Sequence, residues 1–195
     1  MTIDFARNTQ LLLDAVHAKD AAEVERLIPL SHSMRNPHIS RALLHAIATN
    51  DVACAALLAP AAEFMETTQG FPIDISVEML QAILPWCETD DRHSYFLSLI
   101  EHAEIGTIRA VAPYCDCMYN NSFALQMAVV HHRDDVVDLL YPLSNGPVAI
   151  EDLKRVGYPD KIFHRLQEHI DAEQLRTTLL QEISESTHSS VARKI

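Results

Sequence analysis

Between Ser122 and Pro142, in SFALQMAVVHHRDDVVDLLYP, apolar positions recur with a helical period on either side of a charged break. Leu125, Ala128 and Val129 mark one apolar face. Val136, Val137, Leu139 and Leu140 mark a second, after His131-His132-Arg133-Asp134-Asp135. The pattern predicts two short helices joined by a tight polar turn. Neither is long enough to hold its shape alone in water, so the pair must lean on similar neighbours.

The neighbours are announced by a recurrent phrase ending in proline: RLIP to Pro29, ALLAP to Pro60, QAILP to Pro85, RAVAP to Pro113 and DLLYP to Pro142. The separations of 31, 25, 28 and 29 residues are those of stacked helical repeats. Proline suits a point where the chain leaves a helix, because it lacks the N–H that the ladder needs. Counting back from four of these prolines, the same offsets find Leu12, Leu43, Phe96 and Leu125, then Ala15, Ala46, Leu99 and Ala128, on the first helix. On the second they find Val24, Ala55, Ile108 and Val137, then Leu27, Leu58, Val111 and Leu140. A short polar turn separates the helices in each unit: Ala18-Lys19-Asp20, Thr49-Asn50-Asp51, His102-Ala103-Glu104 and His131-His132-Arg133. Asn50 suits a left-handed helix terminator and Asp51 a cap for the helix that follows. Lys19, Ala103 and His132 suit that conformation less well. The unit ending at Pro85 lacks a clear first helix and carries AEFMETTQGFPID in its place.

Leu43-Leu44-His45-Ala46-Ile47-Ala48-Thr49-Asn50 followed by Val52 to Leu58, and Leu125-Gln126-Met127-Ala128 followed by Asp135 to Leu140, resemble the ankyrin repeat. That unit has a small-residue first helix, a glycine-type turn and a second helix ending in paired leucines. The likeness covers roughly residues 8 to 142. It departs from the family in lacking the Thr-Pro-Leu-His start and the Gly-rich hairpin tip, with only Gly70, Gly106, Gly146 and Gly157 in the whole chain. TPR and HEAT-like arrays compete, although their repeats are longer. The fold expected is all-α: an ankyrin-like helical repeat solenoid of about 4–5 helix pairs with a C-terminal helical cap.

Beyond Pro142 the pattern changes at Leu143-Ser144-Asn145-Gly146-Pro147. A helix over Ile150–Val156, stopped by Gly157-Tyr158-Pro159, should precede one carrying Ile162, Phe163, Leu166 and Ile170, with Asp160 as its cap. Asp171 is placed to cap a last helix whose Leu175, Leu179 and Ile183 would close the stack. The expected division is a repeat array over 1–145, capping helices over 146–186 and a flexible tail over 187–195.

Bulk properties narrow the function classes. The chain has 195 residues, 48% hydrophobic and 22% charged, the balance of a globular domain. No apolar run approaches the roughly 20 residues that cross a bilayer, and the N-terminus lacks a secretory pattern, so a cytoplasmic protein is expected, with no membrane partner; an effector secreted by another route would look the same. Fifteen Lys and Arg against 27 Asp and Glu leave a net charge of −12, which argues against nucleic-acid binding and permits a basic protein partner.

The candidate chemistry is thin. Eleven histidines invite a metal reading, but HExxH is absent, His164 and His169 are five apart, and adjacent His131 and His132 point in different directions. Cys115-x-Cys117 lacks the CxxC spacing, and Cys54 falls on an apolar helix face. No phosphate loop, nucleophile elbow or dinucleotide fingerprint occurs. Asp90-Asp91 and Asp134-Asp135 are explained by helix N-terminal charge preference. His45 is expected to bond a neighbouring loop, and Trp86 to plug the core. No catalytic residue, cofactor site or metal site is expected.

The expectation is therefore a non-enzymatic module that docks another protein on a rigid repeat surface, as the ankyrin resemblance implies for an adaptor, scaffold or inhibitor. The contact residues would lie in the turns and the ends of the first helices: His17, Lys19, Thr49, Asn50, Glu101, His102, His131, His132 and Arg133. Phe71, in the loop Glu66 to Asp74, would add an anchor, as would the aromatic segment Tyr114 to Tyr119. The alternative is an acidic immunity or inhibitor protein that blocks the basic active site of a toxin or nucleic-acid enzyme. Oligomeric state is left open.

Overall fold

A computed structural model describes residues 5–31, 37–62 and 75–192; among these every regular element is helical. The α-helices are α1 (Phe5–His17), α2 (Ala21–Ser31), α3 (Pro37–Ala48), α4 (Val52–Leu58), α5 (Val77–Ile83), α6 (Thr89–His102), α7 (Ile105–Val111), α8 (Tyr119–Val130), α9 (Asp134–Leu140), α10 (Gly146–Val156) and α11 (His164–Ala192). The apolar residues found at equal offsets in the four units are all buried, on both helices of each pair. The periodicity is therefore a core periodicity. The segment expected to replace a first helix before α5 lies largely outside the described residues.

The prolines do not simply end helices. Pro60, Pro85, Pro113 and Pro142 each occupy the second place of a single 3-10 turn continuing from α4, α5, α7 and α9. There the proline withholds the N–H that would carry the helical ladder on, and the α-helix gives way to the tighter turn. Pro29 instead lies inside α2, near its C-terminal end. These turns set which side chains face in. Their first residues, Ala59, Leu84 and Ala112, are buried. Of their third residues Ala61 and Tyr114 are half-buried, and Leu143 and Trp86 are exposed; Trp86, at 52%, does not plug the core.

The turns between paired helices share one geometry in three places. Lys19, Asn50 and His132 have φ of 55°, 51° and 55°. In each, the next N–H reaches back five residues to a helix carbonyl: Asp20 to Ala15, Asp51 to Ala46 and Arg133 to Ala128. These are Schellman terminations. Gly157, with φ 96°, ends α10 the same way through Tyr158 N–H to the Leu153 carbonyl. The fourth inter-helix turn differs, since Ala103 is extended at φ −77° and ψ 155°. Side-chain caps follow two of the turns: Asp20 accepts from Glu23 N–H, and Asp51 from Cys54 N–H.

By contact density the chain forms two compact units, residues 1–116 and 117–195. In the first, α1 pairs with α2 and α3 with α4, α1 packs on α3, and α2, α4, α5 and α7 follow one another in contact. In this unit a buried histidine that sequence reasoning passed over ties two segments: His93 Nδ1 donates to the Thr89 carbonyl at 2.7 Å, and its Nε2 accepts from Asp116 N–H at 3.1 Å.

In the second unit α8 packs on α9 and α10, while α11 touches both α9 and α10. The first turn of α8 is left-handed, with Asn120, Asn121 and Ser122 at φ 48°, 59° and 62°. Such a run costs about 1 kcal/mol or more per residue, least for asparagine. Local bonds hold it. Buried Ser122 Oγ accepts from Asn145 N–H at 2.8 Å, Asn121 Nδ2 donates to Asp152, and Gln126 Nε2 donates to the Asn121 carbonyl. Asn145 in turn caps α10 by accepting from Val148 N–H.

The C-terminal helices depart from expectation. No separate helix begins at Asp171; α11 runs unbroken to Ala192, past position 187 where a flexible tail was expected. Neither glycine nor proline occurs between 160 and 195 to stop it, and Asp171 accepts from Gln167 within the helix instead of capping a new one. Leu166 and Ile170 are buried, but Leu175, Leu179 and Ile183 are exposed and close nothing among the described residues.

Candidate functional site

In the first unit the turns are joined to one another. Lys19 Nζ donates to the Thr49 carbonyl at 3.5 Å. Asn50 Oδ1 accepts from Ser76 Oγ at 2.9 Å, and Ser76 caps α5 by accepting from Met79 N–H. The left-handed geometry at Lys19 and Asn50 throws their side chains sideways, toward the following unit. At the ends of α1 and α3 the rings of His17 and His45 lie 3.9 Å apart, tilted by 54°. Burial, and then the neighbouring His17, hold the half-buried His45 below the usual imidazole range. His17, Lys19, Thr49 and Asn50, named from sequence, thus form one connected exposed strip. Glu101 and His102 are exposed at the end of α6 and pair with each other at 3.5 Å. Phe71 and the loop Glu66 to Asp74 lie outside the described residues.

In the second unit the turn His131-His132-Arg133 opens on a pocket that the sequence does not announce. The cavity has a volume of about 450 Å³ and is lined by His132, Asp134, Asp138, Lys161, Ile162, His164, Arg165 and Glu168. Asp138, one turn into α9, is its centre. It accepts from Arg165 through Nε and Nη2, both at 2.7 Å, and from His169 Nε2 at 2.7 Å. The Arg165 guanidinium first, and His169 after it, hold the carboxyl down at about 2. Arg165 also reaches Glu168 at 2.9 Å, and its own pKa is raised. His169 stacks on Tyr141 at 4.7 Å, and Tyr141 Oη donates to Glu173. Desolvation and that carboxylate push the phenol up to about 12.

Arg133 is half-buried and forks onto Asp135 at 3.0 and 2.9 Å; each holds the other in its charged form. His132 is exposed and reaches the pocket wall. His164 and His169, five apart, do serve different carboxylates, Glu168 and Asp138. His131 is half-buried. The signal that could have found the pocket was Asp138, a carboxylate set among the apolar positions Val136, Val137, Leu139 and Leu140 of α9. Only the fold supplies its partners, 27 and 31 residues away.

Nothing in either place resembles an activated nucleophile. Cys54 and Cys87 are buried, and desolvation pushes both thiols up to about 12, away from the reactive thiolate. Among the described residues no group of three or more His, Cys, Asp and Glu is placed to hold a metal ion, and no helix is long and apolar enough to cross a membrane. What these surfaces offer is directed hydrogen bonding and paired charge of both signs on a stiff frame. Comparison with protein-family profiles, curated proteins and solved structures finds no match to this chain.

Proposed function

We propose that this chain is a non-enzymatic protein-docking module, an ankyrin-like array of helix pairs that presents its inter-helix turns to a partner protein. One observation carries the reading: His17, Lys19, Thr49 and Asn50, side chains from successive turns, form an exposed strip cross-linked by Lys19 to the Thr49 carbonyl and by Ser76 to Asn50. A surface held this way loses little freedom on binding, which favours affinity without new order. The partner would be a protein whose surface carries both signs of charge. The pocket beside His132 by itself mixes cationic, imidazole and carboxylate groups, which match such a surface better than a uniformly basic active site.

The test compares the full-length chain with a Lys19→Glu, Asn50→Ala variant as bait in extracts of its native cells. A protein recovered by the first is then titrated, purified, against both. Loss of about tenfold or more in affinity with an unchanged circular dichroism spectrum supports the reading. A purified partner that binds the two baits equally well sinks it.

A further inference from the structure

Two of the 3-10 turns that follow second helices carry aromatic side chains at equal places in neighbouring units. Trp86 is the last residue of the turn after α5, and Tyr114 of the turn after α7. Each follows an exposed proline, Pro85 or Pro113; Trp86 itself is exposed and Tyr114 is half-buried. Because α5 packs directly on α7, and packed helices stand about 8 to 10 Å apart, the two turns repeat at about that spacing. The same edge is acidic. Glu88, Asp90 and Asp116 are exposed, and Asp91 is half-buried. Of the cations nearest in sequence, Arg92 is half-buried and donates to Thr89 Oγ1, and Arg109 lies one turn before Pro113. The edge is also tied together. His93 bridges the Thr89 carbonyl and Asp116 N–H, and Cys115 Sγ donates to the Arg92 carbonyl. The start of α6, which follows Trp86, is thereby fixed to the segment that follows Tyr114.

We propose that this edge docks a proline-rich, basic segment of a partner protein in the polyproline II conformation. Charge favours that occupant. Lysine or arginine beside the prolines would meet Glu88, Asp90 and Asp116, whereas an acidic segment or a nucleic acid would be repelled. Spacing favours it too. A polyproline II chain repeats every three residues, at about 9.3 Å, so prolines on successive turns of the ligand match the repeat that separates Trp86 from Tyr114. Such a segment is already extended and stiff, and its prolines pack on aromatic side chains with little further ordering. The edge uses none of the residues of the Lys19 and Asn50 strip, so the proposal stands or falls independently of the docking surface described above.

Trp86 is the chain's only tryptophan, so its emission reports on the edge directly. The full chain is titrated with the peptide Arg-Pro-Pro-Lys-Pro-Pro-Arg and with two controls, one with glycine for every proline and one with glutamate for every basic residue. The expected result is a saturable change in emission below about 1 mM peptide, with each control weaker by about tenfold or more. Trp86→Ala, followed by calorimetry, should lose about tenfold with an unchanged circular dichroism spectrum, since the side chain is exposed. Glu88→Gln with Asp90→Asn should weaken the basic peptide severalfold and reduce the salt dependence of its binding. No saturable change up to about 1 mM overturns the proposal. So does a glycine control that binds as tightly as the proline peptide, which would mean charge acting alone. Wild-type affinity in either variant overturns it as well.

Discussion

Replacing the middle residue of an inter-helix turn with glycine should raise stability at Lys19 and His132, which are left-handed, and lower it at Ala103, which is not. Lys19 and His132 sit at φ 55°, where a side-chain-bearing residue is strained by roughly 1 to 2 kcal/mol. Glycine removes that strain but widens the unfolded ensemble, at a cost of about 0.4 to 1 kcal/mol. The net expectation is a gain of about 0.5 to 1 kcal/mol at each site. Lys19→Gly also forfeits a long 3.5 Å bond to the Thr49 carbonyl, so its gain should be the smaller of the two. Asn50→Gly should change little, because asparagine tolerates this region. Ala103 occupies the same place in sequence but is extended at φ −77° and buried. Glycine there relieves nothing and removes a packed methyl, for a loss of about 1 to 2 kcal/mol. Urea unfolding followed by far-ultraviolet circular dichroism reads the order as shifts of midpoint at constant slope. If Lys19→Gly and His132→Gly fall on the same side of wild type as Ala103→Gly, the turn geometry argued above is wrong.

Ser122→Ala leaves Asn145 N–H without its buried acceptor and keeps the left-handed backbone, so it should cost about 1 to 3 kcal/mol in the same melts. Cys54 and Cys87 should resist iodoacetamide in the native state at pH 8 and react on unfolding; labelling of either at the rate of a free thiol would contradict their burial and raised pKa. Asp138 is depressed from 3.8 to about 2, so its pairing stabilises the fold above pH 4 and is lost as pH falls through about 2. The group is partly exposed, which limits the effect to under about 1 kcal/mol, and Asp138→Asn should flatten that part of the acid titration of stability.

The sequence by itself determined the helical class, the short helices on either side of polar turns and the core positions that repeat from unit to unit. Those follow from local periodicity, and Leu12, Leu43, Phe96 and Leu125 are buried where their offsets put them. Of the turn and helix-end residues named as contacts, His17, Lys19, Thr49, Asn50, Glu101, His102 and His132 are exposed, whereas His131 and Arg133 are half-buried. Geometry within those turns was less legible. Lys19 and His132 adopt a conformation their side chains disfavour, since the Schellman bonds outweigh the strain, whereas Ala103 in the equivalent place does not.

Tertiary structure alone decided what depends on partners distant in sequence. Trp86 faces water because Leu84 takes the inward place of the same 3-10 turn. The pocket around Asp138 exists only where α11 returns against α9, and His93 finds its loop 23 residues on. Leu175, Leu179 and Ile183 have the periodicity of a buried face, yet they stand exposed. Periodicity reports that a face must be covered; it carries no information about which surface covers it.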